Sequence, residues 1–268
     1  MSRWMVDLNS DLGESFGAYT LGRDEEVLRF VTSANIACGY HAGDHNVMGR
    51  TVKAAAEKGV GLGAHPGLPD LLGFGRRRME VEPKDVYNMT LYQVGALAAF
   101  ARACGKRLQH VKPHGALYTM IVDDAELAAA VSEALAALGP DVVLLMPPQV
   151  GPAAEAAGVP FVPEGYVDLD YDSAGKLVIE RVKQVRDPQQ MADKAVRLVR
   201  EGKVRTLDGG DLALEVESIC VHGDAPNAPA IAAAIREALA GAGVEVVPLA
   251  KLRAFAKLRA SESVGSSR

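Results

Sequence analysis

Five short stretches concentrate the residues of this chain that can do chemistry: DLNSDLGE, CGYHAGDH, GAHPG, KPHG and VHGD. They carry Asp7, Asn9, Asp11, Glu14, His41, Asp44, His45, His65, Lys112, His114, His222 and Asp224. Carboxylates and imidazoles exchange protons near neutral pH, so residues of these types gathered at strand ends suit catalysis by proton transfer. His41 and His45 are four residues apart and would share a helical face. With Asp11 they would make a two-histidine, one-carboxylate site of the kind that lets a divalent ion activate water. Arg76, in GFGRRR, offers a guanidinium to an anion.

Each position also has a plainer reading. Asp44 suits the N-cap of a helix running to Lys58, and Asp224 suits the cap of one starting near Pro226. His65 in H-P-G and His114 in P-H-G would each fit a turn hydrogen bond. An arginine triplet after glycine is usually a solvated loop. Lys112 is different, because a lysine ending an apolar strand is costly to bury without a partner. Asp7, inside an apolar strand, likewise calls for a polar lining.

Short apolar runs alternate with segments of helical period, the pattern of βα units around a parallel sheet. Strands are expected at Met5–Asn9, Ala34–Cys38, Val60–Ala64, Gln109–Lys112, Val142–Met146, Pro160–Val162, Ser218–Val221 and Val244–Val247. Helices are expected from Pro83 to Cys104-Gly105, from Asp123 to Leu138, and from Asp187-Pro188 to Gly202, with caps and stops at those ends. Two strands and a turn are expected within 164–187, and a frayed tail at 260–268. Without a linker or an internal repeat, 1–259 reads as one domain. The fold class is α/β: a distorted (β/α) barrel of seven or eight strands, with an open doubly wound sheet as the alternative. In a barrel the strand exits share one mouth, and five of the six histidines lie at or just past such exits, His110 alone lying within a strand.

Composition narrows the function. At 49% hydrophobic and 24% charged the chain is a globular protein, and a net charge of -5 without a polybasic block argues against a nucleic-acid partner. The amino terminus lacks a signal-peptide core and no apolar run would span a bilayer, so a soluble cytoplasmic protein is expected. Cys38, Cys104 and Cys220 are too scattered for a disulfide framework and read as reduced, buried small residues. Neither a P-loop nor a G-x-S-x-G elbow is present.

DLNSDLGESFG, SANIACGYHAGD, GVGLGAHPG, PDLLGFGRR, LYQVGALA, HVKPHGALY and CVHGD together resemble the LamB/YcsF family, in the same order and over roughly residues 5 to 250. The resemblance implies a barrel related to the glycoside hydrolase/deacetylase superfamily. It also implies ATP-dependent opening of the 5-oxoproline lactam to glutamate, with two partner subunits, B and C, of a 5-oxoprolinase. Because the chain lacks a P-loop, phosphorylation by ATP is assigned to the partners and ring opening to this chain. Within that reading Asp11 or Glu14 is base or metal ligand, His41 and Asp44 an oriented acid/base pair, and His65 and His114 electrophiles or proton donors. Lys112 holds an anionic group, while Asn9, Arg76, His222 and Asp224 complete the substrate site. Where the family commonly has Asp-Arg-x-Tyr, this chain has Asp168-Leu169-Asp170-Tyr171, so an acidic group bound by that arginine would lack its partner. Two other classes stay open: a metal-dependent amide hydrolase or deacetylase acting without ATP, and a non-catalytic subunit.

Overall fold

The structure, a computed structural model, describes residues 4–180 and 184–253. Strand β1 (Trp4–Leu12) and a short helix α1 (Asp24–Val27) lead to β2 (Ser33–Ala37) and α2 (His45–Glu57). Then come β3 (Gly61–His65), α3 (Pro83–Ala103), β4 (His110–Val111), α4 (Gly115–Asp123) and α5 (Ala125–Leu138). Strand β5 (Val143–Met146) is followed by α6 (Gly151–Ala156) and β6 (Phe161–Tyr166). A hairpin of β7 (Asp170–Tyr171) and β8 (Leu177–Val178) precedes α7 (Pro188–Glu201), and a second hairpin pairs β9 (Lys203–Arg205) with β10 (Asp211–Ala213). Strand β11 (Ser218–Cys220), α8 (Ala228–Gly241) and β12 (Val244–Val246) complete the order.

Seven strands close a parallel barrel: β1 to β6 pair in sequence, β11 pairs with β6, and Asp7 opposite Ser218 joins β11 back to β1. Strand β12 pairs with the first residues of β1, Trp4 opposite Val244. The open doubly wound alternative is thereby excluded. Residues 260–268, expected to fray, lie outside the described residues. No described helix is long and apolar enough to cross a membrane.

Local chemistry sets the helix ends. Asp187 accepts from the Gln189 amide, Pro188 opens the first turn, and Gly202 at φ 63° ends α7 in the left-handed region that glycine adopts freely. The helix expected from Asp123 to Leu138 is α5, which begins at Ala125: Asp124, not Asp123, caps it by accepting from the Glu126 and Leu127 amides. Helix α4 escaped sequence reading because GALYTMIVD opens with glycine and carries β-branched residues, both weak helix formers.

Alternation along the strands divides the molecule into a wet interior and a dry outer layer. On β1, Val6, Leu8 and Leu12 join the apolar layer under the helices, whereas Asp7, Asn9 and Asp11 meet polar side chains of other strands inside the barrel. The lowest layer centres on Asp7, whose carboxylate accepts from Ser218 Oγ (2.5 Å), Ser33 Oγ (2.7 Å) and Thr32 Oγ1 (2.8 Å). Above it, Asn9 donates to Ser218 and Glu164, Asn35 donates to Asn9 and Asp11, and the His110 ring donates to Asn35 Oδ1 at 2.7 Å. Gly63 on β3 is required by this layer, since a Cβ there would collide with the His110 ring.

Burial pushes the Asp7 carboxyl up to about 6, against the pull of its hydroxyl donors. The folded chain therefore keeps this proton to about pH 6, whereas the unfolded chain releases it near pH 4. Stability from this group is full below pH 4 and declines as pH rises through 6, by about 3 kcal/mol in all. Urea unfolding from pH 4 to 8 is expected to show that decline in the wild type relative to Asp7→Asn. A difference between the two that stays constant with pH would contradict it.

Candidate active site

The third interior layer forms the floor of the barrel mouth and centres on Lys112. It follows directly on β4 and is 1% exposed, with Nζ 2.9 Å from Asp11 Oδ1, 2.8 Å from Cys220 Sγ, 3.3 Å from Asn9 Oδ1 and 3.4 Å from Glu164 Oε2. The Tyr166 ring lies 5.0 Å from the ammonium, and the Tyr166 hydroxyl donates to Glu164. Burial alone pushes the ammonium down, but Asp11, Cys220 and Glu164 outweigh it and hold Lys112 well above its usual range. Burial likewise raises the Asp11 carboxyl, yet His65 and Lys112 overcome it and hold Asp11 well below the carboxylate range. The floor is thus a persistent ion pair in a low-dielectric setting, where charge acts strongly on a bound group.

Beside it stand Glu14, His41, His65 and His114, all buried, each presenting a donor atom within 4.8 Å of the others. His65 Nδ1 donates to the Lys112 carbonyl at 2.6 Å, and His114 Nε2 donates to the Phe74 carbonyl at 2.8 Å. Their remaining nitrogens face one another at 3.0 Å. Glu14 Oε1 lies 3.3 Å from His41 Nε2 and 3.5 Å from His114 Nδ1. Burial, then Asp224 and Asp11, push Glu14 well above its usual range, and burial pushes His41 and His114 well below theirs. Two imidazoles and a carboxylate suit a divalent transition metal. His41 does not extend the set: its ring stacks on His114 at 3.7 Å and 3°, and parallel rings that far apart cannot both direct in-plane lone pairs at one ion. A second group, Asp11, Cys220 and His222, also lies within 4.8 Å, but the Lys112 ammonium already occupies a cation's position against Asp11 and Cys220.

On the opposite wall, His222 Nδ1 lies 3.0 Å from Asp168 Oδ2, which also accepts the His222 backbone N–H. The carboxylate fixes the tautomer, leaving Nε2 free to accept, 3.7 Å from Asp11 Oδ2. Arg76 pairs with Asp224 at 2.8 Å, the two side chains 9% and 7% exposed, while Arg77 and Arg78 pair with Asp70 and Asp123 near the surface. Between the walls lies a cavity of about 30 Å³, touched by Asp11, His65, Arg76, Lys112, His114 and His222 and roofed by Leu169, Leu177 and Ile179. It has room for a water or two.

Five sequence expectations need correction. Asp44 is the N-cap of α2, its oxygens accepting from the Asn46, Val47 and Gly17 amides, so it does not pair with His41. His45 is the exposed first residue of α2 and belongs to neither donor group, because the helix begins between the two histidines. Asn9 lies beneath Lys112 rather than on the cavity, and Asp224 holds Arg76 while Asn227 occupies the cap position of α8. Of the cysteines, Cys104 is exposed. Glu164, Tyr166, Asp168 and Cys220 were missed. Ser218, Cys220 and His222 stand at alternate positions, as do Glu164 and Tyr166, and extending those strands by that period would have pointed them out.

The sequence model of the LamB/YcsF family matches residues 6–254. A Bacillus licheniformis protein named as the A subunit of 5-oxoprolinase is 49% identical over 245 residues, 90% of this chain and 97% of that one. The crystal structure of a lactam utilization protein from Thermus thermophilus superposes with a TM-score of 0.84 at 45% identity, covering 91% of this chain and all of that one. The peptidoglycan deacetylase PdaC of Bacillus subtilis shares the fold alone, with a TM-score of 0.51 at 14% identity over 98% of this chain and 96% of its own. Since the match runs through every strand exit that supplies the buried cluster, from Asp11 to Asp224, the chain belongs to the LamB/YcsF family.

Proposed function

We propose that this chain is the ring-opening component of an ATP-dependent 5-oxoprolinase, converting the 5-oxoproline lactam to L-glutamate together with two partner subunits that use the ATP. The observation that carries the reading is the buried Lys112–Asp11 pair set between two histidine walls in one water-sized cavity. Relatives that bear the 5-oxoprolinase name and a lactam utilization protein support the substrate.

Ring opening needs a base for water, a cation for the carbonyl oxygen and an acid for the leaving nitrogen. His222, held by Asp168, takes the proton from water as the oxygen–carbon bond forms, and returns it to the ring nitrogen as the carbon–nitrogen bond breaks. Lys112 stabilises the charge that gathers on oxygen, and Arg76, released from Asp224, binds the substrate carboxylate. The cavity holds the attacking water; admitting a five-membered lactam requires Leu177 and Ile179 to move outward. A resting amide is a poor electrophile, and phosphorylation of its oxygen by the partners accounts for the ATP; breaking the carbon–nitrogen bond of the hydrated ring then leaves an acyl phosphate, which a second water cleaves to glutamate and inorganic phosphate.

The donor set Glu14, His65 and His114 favours a second reading, amide hydrolysis assisted by a metal and independent of ATP, in which a bound divalent ion would polarise the carbonyl. Glutamate release from 5-oxoproline and ATP, by the chain alone and then with its partner subunits, separates the two. Activity only in the mixture supports the first reading. No glutamate from folded, associated proteins would overturn it.

A further inference from the structure

We propose that Glu14, His65 and His114 form a binding site for a divalent first-row transition-metal ion at the barrel mouth. The site adjoins the ring-opening machinery, but its existence does not depend on that reaction. Carbonyl oxygens only accept, so the contacts to the Lys112 and Phe74 carbonyls fix protons on His65 Nδ1 and His114 Nε2. In neutral rings the other two nitrogens then carry lone pairs, and these lone pairs face each other at 3.0 Å. No neutral arrangement of the pair satisfies both. Around them stand two carboxyl groups, with Glu14 Oε1 at 3.5 Å from His114 Nδ1 and Asp11 Oδ2 at 3.4 Å from His65 Nε2. Lys112, the ammonium on this floor, directs its donors to Asp11 Oδ1, Asn9 and Cys220 instead.

The electron-rich space therefore calls for a cation. A proton shared by the two rings is the simplest one, but it joins only the two rings and leaves Glu14 to its contact with His41 Nε2 at 3.3 Å. A divalent ion meets Glu14 and both rings together, and the nitrogen separation is within reach of one ion bound by each at roughly 2.0–2.1 Å. The supporting shell fits as well. Metal-binding imidazoles generally donate their other N–H to a carbonyl or carboxylate, as both rings do here. Phe74, at φ 54°, holds a left-handed conformation that bulky residues rarely adopt, and this strained turn carries the carbonyl that orients His114. Three protein ligands leave a coordination position open for water, the arrangement of catalytic rather than structural zinc sites.

The test uses the full chain, purified without chelators from medium supplemented with zinc and manganese. Elemental analysis is expected to find about one ion per chain, by the three-ligand count of such sites. After stripping, titration with cobalt(II) should raise visible ligand-field bands. Glu14→Gln, His65→Gln and His114→Gln should each weaken cobalt binding by more than the roughly 10–100-fold that loss of an outer partner alone costs, and His45→Gln should leave it unchanged. Should those variants misfold, proton NMR of the cobalt-loaded wild type still decides: two shifted, exchangeable ring N–H signals are expected, from His65 and His114. A folded wild-type chain that binds no cobalt, or cobalt binding without those signals, overturns the site. Glutamate release by a metal-free preparation would overturn any need for the ion while leaving ring opening intact. A bound ion without release does the reverse.

Discussion

Replacing Lys112 by methionine is expected to cost about 3–5 kcal/mol of folding stability at neutral pH, the range for stripping one partner from a buried ion pair, and to abolish glutamate formation. Methionine fills nearly the same volume, so little of the loss comes from packing. What remains is Asp11 and Glu164 buried without the ammonium that lies 2.9 and 3.4 Å away. The sign of the pH dependence follows from Asp11, whose folded carboxyl is held well below its usual range. Its contribution is present above the unfolded value and is lost as pH falls. The gap between wild type and variant should therefore be widest near pH 7 and narrow toward and below pH 4, as the stranded carboxylates protonate. Urea unfolding of both proteins across that range measures it. A penalty under about 1 kcal/mol, the usual worth of an exposed pair, would show that Lys112 is not the buried charge that organises this floor.

Asp168→Asn is expected to cut glutamate formation by the reconstituted complex by about 10²–10⁴-fold, the scale of a positioned general base and of its tautomer. Asparagine keeps the shape and can still accept the His222 backbone N–H, a contact of 2.9 Å. Its amide N–H₂, however, turned toward His222 Nδ1, makes that nitrogen the acceptor and moves the ring proton to Nε2, the atom facing Asp11 and the cavity. His222→Gln should lose a similar factor, and the double variant little more than either single one, because the two residues act as one unit. The loss should appear in kcat while partner assembly and unfolding midpoint change little. Equal losses in assembly and activity would mean that Asp168 only holds its loop in place.

The strand exits could be read in the chain because polar residues interrupt apolar strands only where something polar meets them. The D-L-N-S-D run of β1 already places Asp7, Asn9 and Asp11 on one face by period two, and Asp187-Pro188 with Gly202 marks α7 at both ends. Glu164 and Asp168 were obscured because the hairpin after β6 claimed them, and Cys220 because a lone cysteine in an apolar strand looks like core. His41 and His45, four apart, suggested one metal site. Asp44 capping α2 places the helix start between them and sends His45 to the solvent.

By itself, then, the sequence determined the alternation of strands and helices, the inward faces of the strands and the mouth where the histidines gather. These are local properties, carried by period and by capping chemistry. Barrel closure decided the rest. It set Asp7 against Ser218, brought Lys112 onto Asp11 and Cys220, paired Arg76 with Asp224 across 148 positions, and turned two histidine lone pairs toward each other under the Phe74 carbonyl. Contacts of that range depend on how the sheet curves and which strands meet, and no short window of sequence holds that information.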